Sequence, residues 1–202
     1  MTYTRAVPLS LADIEARTDT ILRSTELPAM LRLAPMDDAA WDSLAIPFVD
    51  RMLADHPFVE PPALFGEDEA ERAEALDGLF TPARLHHRYG FWDGEQLVGI
   101  YRGRQGECGT YHMSLTALDE SWRRRGVYRA FLPKVLEAAR EVGFVEVISR
   151  HHADNNPVLI AKLREGFVIT GLDASLRTGL MVCLAYRFAE SARKQHRKLV
   201  AF

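Results

Sequence analysis

From Tyr111 to Leu118 the chain alternates residue by residue, and at Val127 it changes to a helical rhythm. A period of two places Tyr111, Met113, Leu115 and Ala117 on one face of a strand, and His112, Ser114, Thr116 and Leu118 on the other. Val127, Phe131, Val135, Ala138 and Val142 then repeat at helical spacing until Gly143. Pro133 inside that pattern predicts a kink or a late helix start. A strand that turns directly into an amphipathic helix demands a sheet with a helix packed on it, and this excludes all-helical and all-β solutions.

The rest of the chain supplies the other layers. Ser10 with Asp13 reads as a capped helix over 9–24, and Leu31–Ala34 as a short strand. Asp37 or Asp38 caps a helix running to about Ala54. The proline-rich stretch 56–65 reads as a loop, and the acidic stretch 67–76 as a solvated helix. Asp93-Gly94 is a hairpin turn between Leu85–Trp92 and Gln96–Arg102. Val145–Arg150 is a strand, Asn155 opens a helix ending before Gly166, and Phe167–Leu172 and Leu180–Phe188 are the last strands. The basic stretch 192–199 reads as helical. This order describes a mixed α/β chain organised around one sheet.

Composition narrows the function. With 202 residues, 48% of them apolar, the chain can bury a sizeable core. A formal net charge of -3 argues against broad nucleic-acid binding. No apolar run approaches the ~20 residues that span a bilayer, and the start lacks a signal-peptide core. Cys108 and Cys183 show no metal-binding spacing and suit a reducing cytoplasm, although they could pair.

Between the strand and the helix stand Arg123, Arg124, Arg125 and Gly126, with Arg129 one turn on. A helix start presents unpaired N–H groups and the positive end of its dipole, which together bind phosphate. Glycine lets the backbone approach an anion closely. The competing reading is a surface turn whose arginines face water.

Arg123-Arg124-Arg125-Gly126-Val127-Tyr128 resembles the signature of the GNAT superfamily of N-acetyltransferases, in which a Gln or Arg, two variable residues, Gly and one more residue precede a Gly or Ala. Tyr128 departs from that small last residue. Asn155 to Phe167 resembles the family's later motif, an asparagine before a helix that ends in Gly-Phe. These motifs cover roughly residues 110–170, and the order of elements extends the likeness to 30–188. Residues 1–29 form an N-terminal helical extension and 189–202 a basic tail. The resemblance implies a single central, mostly antiparallel sheet flanked by helices, with acetyl-CoA as acetyl donor. It implies that the turn from Arg123 to Arg129, including Val127 and Tyr128, holds the pyrophosphate. It further implies that the Leu118 backbone and the Asn155 side chain hold the pantetheine arm, although Asn155 also reads as a plain helix cap. The acceptor would be a small-molecule or peptide amine, and a homodimer is compatible with the family. A CoA-binding regulator or scaffold that has lost catalysis is the alternative.

Acetyl transfer needs a neutral amine, donors for the thioester oxygen and a proton source for the leaving thiolate. His112 matches a position where some members carry the base, and an ordinary imidazole pKa near 6.5 suits that role. It shares the predicted face of Leu118, ~20 Å away along the strand at ~3.3 Å per residue. Ser114 and Thr116 stand on the same predicted face and could relay a proton. Where the family often places a tyrosine acid, seven residues after the asparagine, this chain has Lys162, whose ordinary reading is a solvated helix lysine. Tyr186 and Tyr128 are substitutes without positional support. His151, His152 and Asp154 look metal-like, but adjacent strand histidines point to opposite faces, and His86-His87 fails in the same way. No metal is expected. Glu60 and its neighbours could favour a cationic acceptor.

Overall fold

The computed structural model describes residues 9–53, 66–68, 71–72, 85–176 and 178–194. The loop reading of 56–65 and Glu60 lie outside these residues, as does most of the acidic stretch 67–76. Seven strands form one sheet: β1 (Arg32–Pro35), β2 (His86–Asp93), β3 (Gln96–Gln105), β4 (Thr110–Leu118), β5 (Glu146–His152), β6 (Val168–Ser175) and β7 (Gly179–Arg187). Their order is β1-β2-β3-β4-β5-β7-β6, and every pair is antiparallel except β4 with β5. The mixed α/β architecture with a mostly antiparallel sheet is therefore as expected.

Helix α1 (Leu11–Arg23) opens on the Ser10–Asp13 capping box. Asp37 caps α2 (Asp38–Ala40), which continues through a π turn at Trp41–Ala45 into α3 (Ile46–Leu53). Helix α4 (Val127–Glu141) follows β4, and α5 (Asn156–Glu165) follows β5, ending on Gly166. Helical backbone runs from Val127 through Pro133, so α4 does not start late. The β2–β3 turn is centred on Gly94-Glu95, with Asp93 already paired to Gln96 and Gly94 at φ +57°. Cys108 and Cys183 are both free thiols.

The core lies in two parts, one on each face of the sheet. The larger packs α1, α4 and α5 against Phe91, Tyr101, Tyr111, Met113 and Val147, with Leu22 contributed by α1. The smaller packs Trp41, Ala45 and Phe48 against Ile100, Leu115 and Ala117. Leu115 thus sits on the opposite face from Met113. The reason is a bulge: Arg102 pairs with Leu115 and Gly103 with Met113, so Ser114 has no partner and the alternation reverses there.

Candidate active site

β4 and β5 pair only from Thr110–His112 to Glu146–Ile148. Beyond that no pairing joins the two parallel strands, and they part to leave a gap within the sheet. Parallel strands end on the same side, so Leu118, the start of α4 and the start of α5 all stand around the mouth of this gap. The Asp119 N–H bonds the Val98 carbonyl, so the Leu118 carbonyl, across the same peptide plane, points the other way, into the gap. Arg123 Nε donates to that carbonyl at 3.1 Å.

The arginine turn has the form an anion cradle needs. Gly126 is the N-cap of α4 at φ +84° and offers no side-chain cap to the first helical N–H groups. Arg124 also holds a left-handed φ, +60°, so the turn curls before the helix begins. Arg123, Arg124, Arg125 and Arg129 are exposed, and Arg125 lies over the Trp122 ring at 4.9 Å. Val127 anchors the helix start in the core, and Tyr128 packs at its margin. Asn155 precedes α5, but its side chain does not cap the helix. The plain-cap reading of Asn155 therefore fails, and its amide remains available at the mouth.

At the apex of the gap the sequence expectation is reversed. Lys162 is not solvated but wholly buried. Its Nζ lies 3.3 Å from Met113 Sδ and 4.2 Å from the centre of the Phe167 ring. Burial lowers its pKa to about 7. Met113 and Ser149 are the first residues past the paired segment of β4 and β5. Ser149 Oγ and His151 Nε2 are buried without a hydrogen-bond partner among the described residues. Burial, then the nearby Lys162, drops the His151 pKa to about 3.

His112 lies elsewhere. The Ser114 bulge puts Thr116 and Leu118 on the face of the larger core, and leaves His112 on the other face with Leu115. The expected common face of His112 and Leu118 is therefore corrected. Burial, followed by Arg104, Arg150, Arg102 and Lys162, lowers its pKa to about 4, not the ordinary value near 6.5. His112 is thus unprotonated at neutral pH. Ser114 Oγ reaches the His112 carbonyl at 3.5 Å, so it does not relay from the imidazole. Tyr186 packs against Phe167 with tilted rings and against Phe188 edge-on. His86 and His87 leave opposite faces, as do His151 and His152. His87 enters a buried chain in which Tyr101 donates to Tyr111, and the Tyr111 hydroxyl lies 2.9 Å from His87 Nδ1.

A parted pair of parallel strands, each followed by a helix N-terminus, defines the acetyltransferase class of site. The model of the Acetyltransferase (GNAT) family matches residues 49–167, and the chain belongs to that family. No curated protein matches the sequence. Similar solved structures include a GNAT family acetyltransferase from Elizabethkingia anophelis with acetyl-CoA bound. It is 14% identical, with a TM-score of 0.54 over 79% of this chain and 99% of that one. The ribosomal-protein-S18-alanine N-acetyltransferase from Escherichia coli is 12% identical, with a TM-score of 0.56 over 79% and 95%. The IAA acetyltransferase from Bacillus cereus is 14% identical, with a TM-score of 0.54 over 78% and 99%. At these identities the likeness is one of fold. No helix among the described residues is long and apolar enough to cross a membrane.

Proposed function

We propose that the chain is an acetyl-CoA-dependent N-acetyltransferase that moves an acetyl group to an amine. The observation that carries this reading is the gap between β4 and β5, with the Leu118 carbonyl turned into it and the uncapped start of α4 at its mouth. Acetyl-CoA, when bound, would supply the activated acetyl group as a thioester. The N–H groups after Gly126 and the side chains of Arg123, Arg124, Arg125 and Arg129 would hold its pyrophosphate. The Leu118 backbone and the Asn155 amide would hold the pantetheine arm.

In the transfer a C–N bond forms, the C–S bond breaks, the amine loses a proton and the thiolate gains one. His112, already unprotonated, is the base of this reading, acting through water. Lys162 is the acid: an amine with a pKa of about 7 carries a proton on roughly half of the molecules at neutral pH and gives it up readily.

The second reading, a CoA-binding protein without turnover, draws on Lys162 in the place of a tyrosine and on the distance of His112 from the mouth. One experiment addresses both. Acetyl-CoA should raise the melting temperature, as a ligand selective for the folded state does. Gly126→Val, strained at φ +84° and placed in the cradle, should lose most of that rise while remaining folded by circular dichroism. Release of CoA thiol with members of an amine library then separates the readings: binding without release with any amine favours the second.

A further inference from the structure

On the face of the sheet that carries His112, two arginines have no counter-charge among the described residues. Arg102 and Arg104 are two residues apart on β3, so their side chains leave the same face. Arg88 on β2 stands directly opposite Arg102, and His112 on β4 directly opposite Arg104. Arg150 on β5 lies on the same face, two residues beyond Ile148, the partner of His112. Like charges opposite one another destabilise a sheet. Two of these arginines are balanced: Arg88 by Asp38 and Arg150 by Asp173 at 2.8 Å. Among the described residues, Arg102 and Arg104 have neither an ion pair nor a hydrogen bond from their side chains. Arg102 is exposed and Arg104 half-buried, so both remain reachable. Partial burial, Arg88 and Arg104 all push the Arg102 pKa below its ordinary value. In a chain with a net charge of -3, such a row is not an overflow of basic composition.

The geometry points to an acceptor that carries a carboxylate, seated on Arg102 and Arg104. This rests on the acetyltransferase reading and names the substrate class of that site. A guanidinium meets a carboxylate through two parallel N–H bonds, and two unpaired guanidinium groups side by side supply the missing counter-charge site. The location fits a small amino acid. Arg102 faces Leu115, three residues before Leu118 on β4, a distance of ~10 Å along the strand. The span from carboxylate to amine in a short aminoalkanoate, with the reach of an arginine side chain, covers that distance.

The test compares 4-aminobutyrate with butylamine and 6-aminohexanoate with hexylamine, pairs with similar amine basicity, on the full chain with acetyl-CoA. The expected result is a kcat/KM at least tenfold higher for each amino acid than for its alkylamine. That ratio should fall toward one in the Arg102→Gln, Arg104→Gln double variant, chiefly through KM. O-Phosphoethanolamine, as a further arm, tells a carboxylate site from a general anion site. Binding of glutarate in the presence of CoA, by calorimetry, reads the same arginines without turnover and should weaken at least tenfold in the double variant. Equal rates within each pair, or a ratio unchanged by the double variant, overturns the carboxylate site and leaves acetyl transfer standing. Arginine-dependent glutarate binding with no turnover of any amine overturns acetyl transfer and leaves the anion site standing. Superior turnover of phosphoethanolamine overturns the choice of carboxylate.

Discussion

The two faces of the sheet are built from the same strands and treat polar groups in opposite ways. On the α4 face, Tyr101, Tyr111 and His87 are buried and joined in a hydrogen-bonded chain through His87 Nδ1, and Phe131 packs edge-on against Phe91 and Tyr101. On the other face, past the edge of α2 and α3, Arg102 and Arg104 stand beside His112 without partners among the described residues. A closed face pairs most of its polar groups within the chain, because water cannot reach them; among the described residues Thr18 Oγ1 and His87 Nε2 are exceptions here. The other face can leave charges unbalanced, and that imbalance is available for recognising a ligand. The apex of the β4–β5 gap lies between these extremes, with a buried amine that no oxygen of the described residues neutralises.

Three substitutions put this contrast under strain, and they are ranked by effect on stability. Phe131→Ala on the closed face should be the most damaging, at about 3–5 kcal/mol, since the ring is wholly buried and touches two others. Urea unfolding followed by circular dichroism gives the value; a loss under 1 kcal/mol would mean that the closed face is not tightly packed.

Lys162→Met, at the apex, should stabilise the protein near neutral pH, by a gain on the order of 2 kcal/mol. The sign follows from proton counting. Lys162 binds its proton with a pKa of about 7 when folded, against an ordinary lysine value of 10.5, so the unfolded chain holds more protons between those values. Stability therefore rises with pH above 7 and is lost as pH falls through it. His87, His112 and His151, lowered to about 4, about 4 and about 3, produce the same direction of change below pH 6.5. Urea midpoints from pH 5 to 9 should climb in the wild type. In Lys162→Met the climb above pH 7 should vanish and the acid limb persist. An unaltered slope above pH 7 would place the titrating group elsewhere.

His112→Ala, on the open face, should change stability least, by under ~1 kcal/mol, and should still lower turnover ~100-fold. With its pKa at about 4, His112 adds no rising limb between pH 6 and 8, and the wild-type rate should show there only the falling limb of the acid Lys162, provided the acceptor amine titrates outside that range. Wild-type turnover in the variant would leave His112 a strand residue and give the base role to solvent.

Local chemistry made the arginine turn readable in advance: a glycine before a helical pattern, arginines around it and a strand ahead of it. The cap of α1 was readable for the same reason, since Ser10 and Asp13 find each other within one turn. The faces of β4 were not. Alternation alone put His112 beside Leu118, and the bulge at Ser114 depends on register with β3, which the sequence of β4 does not contain. Gly103 shows the constraint from the other strand, since a Cβ there would overlap the Tyr111 hydroxyl. Lys162 was misread because helix α5 has weak apolar periodicity, so nothing nearby marked the lysine side as the inner one. Arg102 and Arg104 were missed because each is ordinary on its own; only strand pairing brings them together with Arg88 and His112.

Where β4 leaves β5, the sheet contains an unpaired strand edge in its interior. Such an edge is a template for a strand from another molecule, and proteins commonly guard theirs with charge or a covering segment. Here Arg123 reaches back and occupies the Leu118 carbonyl, placing a cation where an intruding strand would donate its N–H. The same bond makes the edge selective. An amide-bearing ligand shares that carbonyl with Arg123 or displaces it, and while it remains it stands in the position of the absent strand, so a molecule with its gap filled is also one whose sheet is closed to its neighbours.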